Sequence, residues 1–197
     1  MRADARKNHD HLLAVAGAVI TEQGVDASLR DIARRADVGL ATLLRHFPTR
    51  EALLDALLRT SFDELTTKAA ELETSSSPED ALVSWLRDFV ACARDYRGVV
   101  TSMMTAIEDT QSALHASCVT MRASGTRLLA RAQAEGTARS DIDGTDLFAL
   151  AGSLAWLGDQ PSLAPRADHL FDVVTSAILT SAGNSNAEAE RRPRARG

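Results

Sequence analysis

The stretch "LRDIARRADVGLATLLRHFPTRE", Leu29–Glu51, decides how the rest of the chain reads. It holds two short apolar-patterned segments on either side of "ADVG" and stops at "FPTRE". Leu29, Ile32, Ala33 and Ala36 recur at helical spacing, which predicts a short helix with one buried side. Ser28 suits its N-cap, with Asp31 three residues on in a capping-box-like "SLRD". "DVG" predicts the turn, and Gly39 opens a further helix whose inner side is Leu43 and Phe47. Pro48 ends that helix, because proline has no amide hydrogen to continue the ladder. Two short helices about a tight turn suggest a part that fits something narrow. The DNA major groove, which admits one α-helix, is the candidate.

Working outward, Leu12, Val15, Ala16, Val19 and Ile20 stripe a preceding helix from about Asp4 to Gln23, and Gly24 suits its C′ position. Thr49 can cap a long helix running to Leu72, with Leu53, Leu54, Leu57, Leu58, Phe62, Leu65 and Leu72 along it. At 1.5 Å per residue it spans about 36 Å, enough to join two modules. Ser77 and Pro78 signal the start of another helix carrying Leu82, Trp85, Leu86, Phe89, Ala93 and Tyr96. Gly98 sets off a short segment with Val99, Val100, Met103, Met104 and Ile107. Helices follow over about 112–135, from Asp143 or Thr145 to Leu157, and over 166–180. No sustained alternation of β-branched residues occurs, so an all-α fold is expected. Its parts are a helix-turn-helix domain over 1–58, a helical ligand-binding and dimerisation domain over 59–182, and a flexible, polar tail over 183–197.

The 197 residues suffice for a real core, and 45 % hydrophobic with 25 % charged is ordinary for a globular chain. The net charge of -5 conceals an asymmetry. Residues 1–60 hold nine Lys/Arg against eight Asp/Glu, whereas residues 61–185 hold nine against seventeen. A net +1 over the first part is a weak polyanion signal, so the argument for DNA rests on where the arginines sit. Two distant cysteines, Cys92 and Cys118, fit a reducing cytoplasm and read as buried small hydrophobes. The start lacks a secretory h-region, and no apolar run approaches the roughly 20 residues of a membrane span.

A long helix followed by two short ones about a turn is a three-helix helix-turn-helix pattern. At Leu12–Leu58, in "DIA", "TL", "RHF", "P" and "REALL" at their spacing, the sequence resembles the TetR family of bacterial transcriptional regulators. The "RHFPTREALL" wording looks most like actinobacterial members. The likeness covers about the first third of the chain; the rest is similar only in style to that family's divergent ligand domains. Four positions depart from the family pattern. Asp37 stands where the turn usually has Gly, and Asp tolerates positive φ better than most residues. Gly39 replaces a capping Ser or Thr, Leu44 replaces a Tyr that commonly meets phosphate, and Arg50 replaces a Lys. Leu44 cannot donate the tyrosine's hydrogen bond.

The resemblance implies a DNA-contacting set of Ser28, Arg30, Gly39, Leu40, Ala41, Thr42, Arg45, His46, Thr49 and Arg50. Within it, Arg50 is expected on a phosphate beside a helix N-terminus, Thr42 on a base or phosphate, and Leu40 on a thymine methyl. Arg34 and Arg35 read as plain surface charges. "HDH" at His9–His11 reads as a solvated helix start rather than a metal site, and Arg2, Arg6 and Lys7 are candidates for a minor-groove arm. Phe62, Trp85, Phe89, Met103, Met104, Ile107 and Met121 are the candidate ligand-binding residues, with Phe148 and Trp156 as further possible lining; all could equally be ordinary core. Leu147, Leu150, Leu154, Leu170, Val174 and Ile178 are candidates for a four-helix dimer bundle.

The expected function is therefore a dimeric repressor, released from palindromic double-stranded operator DNA by a small-molecule inducer, with no cofactor, metal or membrane partner. Two alternatives stand beside it. One is a helical interaction protein whose DNA binding has decayed, for which Leu44 and the weak charge argue. The other is an all-α enzyme, although no phosphate-binding Gly-rich loop, HExxH, paired-Cys cluster or G-x-S-x-G is present.

Overall fold

The computed structural model describes residues 2–95, 105 and 108–180, with side chains from Lys7 onward. Met103, Met104, Ile107, the side chains of Arg2 and Arg6, and the tail expected over 183–197 lie outside the described residues. What is described is all-helical: α1 (Arg2–Gln23), α2 (Leu29–Arg35), α3 (Leu40–His46), α4 (Arg50–Leu72), α5 (Pro78–Asp95), α6 (Ala113–Ala134), α7 (Gly144–Asp159), a 3-10 turn (Ala164–Arg166) and α8 (Ala167–Ile178).

Most local signals act as read, although Asp31 turns to Arg34 and does not complete a capping box with Ser28. Gly24 ends α1 at φ 87°, a left-handed conformation that glycine reaches without a Cβ penalty. The Ser28 hydroxyl accepts from the Arg30 amide at 3.3 Å, and Thr49 Oγ1 accepts from the Ala52 amide at 3.1 Å. Gly39 caps α3 with no side-chain bond. Asp37 takes the turn at φ 54°, the left-handed region expected for it. Asp143 starts α7 in a full capping box with Asp146.

Two cores share α4. Leu12, Ala16, Val19 and Ile20 of α1 close over Ile32, Leu43 and Phe47, with Leu53, Ala56 and Leu57 of α4 beneath them. From Leu58 onward, α4 turns its Phe62, Leu65 and Ala69 into a second core with α5, α6, α7 and α8. Successive turns of one rigid helix thus anchor both halves. The second core is tight. Trp85 stacks on Phe89 with ring centroids 5.7 Å apart and meets Phe148 edge-on at 5.9 Å. Its indole Nε1 donates to the Leu65 carbonyl at 2.9 Å. Gly125 lets α6 lie against the indole, since a Cβ there would sit 2.5 Å from Trp85 Cη2. An isolated antiparallel bridge between Ala138 and Leu179 ties the loop after α6 to the end of α8.

Candidate DNA-binding face and ligand core

The outward side of α3 follows from the burial of its inward side. Leu43 is fully buried, which turns Ala41, Leu44 and Arg45 outward within an arc of about 100°. Arg45 is exposed and its Nη2 reaches Thr42 Oγ1 at 3.5 Å, so these two polar residues stand together at one flank. Arg30, on the first turn of α2, is exposed nearby in the chain fold. Arg34 and Arg35 behave as surface charges. Arg34 pairs with Asp31 at 2.9 Å, and Arg35 forks onto Glu22, whose carboxyl its hydrogen bond holds below the ordinary range.

Several expected contacts are placed differently. Leu40 is half-buried against the first core and lines an open cleft between α2 and α3 with Arg30, Ala33 and Val38, so only part of it is free to meet a groove. His46 is half-buried, its ring 5.8 Å from His9 and 6.2 Å from Phe47, and so packs α3 onto α1. Arg50 turns inward. Its Nη1 donates to the carbonyls of Val25 at 2.7 Å and Ala27 at 2.6 Å. Those carbonyls lie in the turn between α1 and α2, and a guanidinium can supply them with donors. Arg50 is therefore a tie between that turn and α4, not the free phosphate anchor its position suggests. The hydroxyls of Ser28 and Thr49 are engaged as caps.

The ligand candidates converge. Phe62, Trp85, Phe89 and Met121 are all buried in the second core, with the Phe148 ring against Trp85 and Phe89. They fill their space as packed side chains. A separate open groove of about 770 Å³ runs between α4 and α5, lined by Ser61, Asp63, Glu64, Lys68, Asp88, Cys92 and Asp95 among others. Burial pushes the Cys92 thiol up to about 11 and raises Cys118 as well, so neither is a ready thiolate.

The dimer candidates divide. Leu147, Leu154 and Ile178 point into the chain's own core, which corrects their reading as an outer stripe. Leu170 and Val174 are half-buried against that core. Leu150 is 38 % exposed, and it is joined on the outside by Trp156 at 57 % and Val173 at 51 %. Trp156, read from sequence as possible cavity lining, thus faces out. A signal for this was present. The α7 sequence is apolar all round, and a helix that is apolar on every side has two faces to bury rather than one.

Two family models match the chain. The model for bacterial regulatory proteins of the tetR family matches residues 12–57, and that for the C-terminal domain of SbtR-like transcriptional regulators matches residues 77–178. A TetR transcriptional regulator of Streptomyces coelicolor is 34 % identical, over 88 % of this chain and 99 % of that one, with TM-score 0.68. A TetR regulatory protein of Mycobacterium vanbaalenii is 29 % identical over 91 % and 99 %, with TM-score 0.63. At 20 % identity and TM-score 0.58, a TetR-family regulator of a Rhodococcus species shares the fold, over 88 % of this chain and 99 % of that one. Among curated proteins, none matches. The likeness therefore extends past the helix-turn-helix through the second core, and the chain belongs to the TetR family of bacterial transcriptional regulators.

Proposed function

We propose that the chain is a cytoplasmic repressor that holds a palindromic operator as a dimer and lets go when a small molecule enters its second core. The observation that carries this reading is the division of labour along α4. One helix seats the recognition module through Leu53 and Leu57 and the aromatic core through Leu58, Phe62 and Leu65. A ligand that separates Trp85 from Phe89 must displace neighbours of α4, and any tilt of α4 moves α3 with it. Such a ligand shifts the equilibrium only by its differential affinity for the two arrangements. The adaptable thioether of Met121, buried in the same core as the stacked rings, favours an apolar, neutral or cationic ligand.

In this reading residues 1–58 are the DNA-binding domain and 59–182 the ligand-binding and dimerisation domain. Ala41, Thr42, Arg45 and Arg30 carry the DNA contacts, with the capped turns at Ser28 and Thr49 setting their frame. The dimer forms through the outer sides of α7 and α8, where Leu150, Trp156 and Val173 are exposed. Two-fold symmetry there would present two copies of α3 to two half-sites. The test is retention of the protein's own upstream DNA in a gel at several salt concentrations. Saturable binding that weakens steeply with salt supports the repressor, because released counterions drive it. Binding that is absent at all salt concentrations overturns it.

A further inference from the structure

The recognition helix carries an apolar side chain in an unusual place. Leu44 is 37 % exposed, whereas Leu43, Phe47, Leu53 and Leu57 are buried and Leu29, Leu40 and Leu54 half-buried. It stands at one edge of the outward arc, about 60° from Ala41 and about 100° from the buried Leu43. Its neighbour on that arc, Ala41, projects only a methyl group. Leucine has no donor or acceptor, so it can make no bond to phosphate and none to a polar base edge. The major groove offers one apolar group, the 5-methyl of thymine. Leu40, one turn earlier, is half-buried, so Leu44 is the more exposed of the two leucines on this side of α3.

We propose that Leu44 reads a thymine 5-methyl group in each operator half-site and is a specificity-determining residue of this regulator. The inference rests on α3 entering the major groove, and it adds the chemistry of what α3 selects there. Arg45, about 100° round the helix from it, reaches Thr42 and supplies the polar contacts at the other edge of the arc. Removing one methyl from an apolar contact weakens binding about fourfold. Two symmetric half-sites raise this to roughly fifteenfold.

The experiment uses the full chain. Duplexes that it retains are selected from a random DNA pool. Each thymine of the selected site is then replaced by deoxyuridine, which differs only by the missing methyl, and affinities are measured for the wild type, Leu44→Ala and Leu44→Met. The expected result is one thymine per half-site at which deoxyuridine weakens the wild type about fourfold. At that position Leu44→Ala binds thymine and deoxyuridine alike, and Leu44→Met, which keeps an apolar tip, retains the discrimination. The comparison is made within each variant, so a general loss of stability cancels. No thymine with a methyl effect, or a methyl effect that survives in Leu44→Ala, overturns the proposal. A pool from which no duplex is retained overturns the DNA-binding reading, and this proposal with it.

Discussion

The two cores of this chain are built by different rules. The first, around Leu12, Ile32 and Leu43, is aliphatic apart from Phe47 and is closed by short elements whose ends are set residue by residue, by Gly24, Ser28, Asp37, Gly39 and Thr49. The second is organised by rings: Trp85 and Phe89 stack along α5 and meet Phe148 of α7 across the helices, and a glycine of α6 lets the indole approach. Local chemistry therefore governs the module that faces DNA, and non-local packing governs the module that would face a ligand. A functional consequence follows. The first module has little reason to change shape, whereas the second has a tightly filled centre whose opening would be felt along α4.

The sharpest way to test that contrast is to damage the second core. Trp85→Ala removes the indole that stacks on Phe89 and bonds to the Leu65 carbonyl. A buried aromatic truncated to Ala costs about 3–5 kcal/mol. For a domain of this size that lowers the melting temperature by roughly 6–20 °C, at about 2–4 °C per kcal/mol. A melting temperature within a degree or two of the wild type in a calorimetric scan would show that the rings are not the organising centre. Overfilling the same centre by Gly125→Ala should cost less, about 1–3 kcal/mol, since the indole has to move from a Cβ 2.5 Å away.

Next comes the outer face of α7 and α8. Val173→Asp and Trp156→Asp place a charge on exposed positions, so the fold should keep its melting behaviour at low concentration while sedimentation shows a monomer. Leu154→Asp, whose side chain lies in the chain's own core, should instead unfold the protein, because a buried unpaired charge costs several kcal/mol. If Leu154→Asp gave a folded monomer and Val173→Asp a stable dimer, the assignment of inner and outer faces would be reversed.

These two tests mark the line between what could be read in the sequence and what could not. The helix-turn-helix was legible in detail because its signals are local: a positive-φ Asp, a Gly at a helix end, hydroxyls at N-caps, a Pro after α3. The facing of α7 was not. Leu147, Leu150 and Leu154 are equally apolar, and only the positions of α5 and α8 around them decide that Leu150 looks out while its neighbours look in. Arg50 is a related case. Its place at the start of α4 argues for an anion, but its guanidinium also donates to the turn carbonyls of Val25 and Ala27, more than twenty residues earlier, which no local pattern signals.

Arg50 gives a third, smaller test. Arg50→Ala should destabilise the first module by about 1–3 kcal/mol, through two carbonyls left without a charged donor. DNA affinity should fall as the module loosens, with an unchanged slope of log affinity against log salt. A slope reduced by about one per site would return Arg50 to the phosphate.

The smallest effect belongs to a helix cap and is visible only against pH. The Asp143 carboxylate accepts from the amides of Thr145 at 2.6 Å and Asp146 at 3.2 Å. Those backbone bonds hold its carboxyl below the ordinary range, the Asp146 amide contributing most. The sign follows from linkage. A carboxyl whose folded pKa is depressed contributes stability above its unfolded value, near 4, and loses it as pH falls through the folded value. Asp143→Asn keeps an acceptor for both amides and removes only the charge. Melting temperatures of the wild type and Asp143→Asn should therefore differ by a constant amount at neutral pH, with the wild type higher. The two curves should converge as pH drops below about 4. The site is fully exposed, so added salt should narrow the neutral-pH gap as well. A gap that persists unchanged into acid would mean that the amide side chain caps α7 less well by geometry, and that the negative charge at the head of α7 does nothing for its stability.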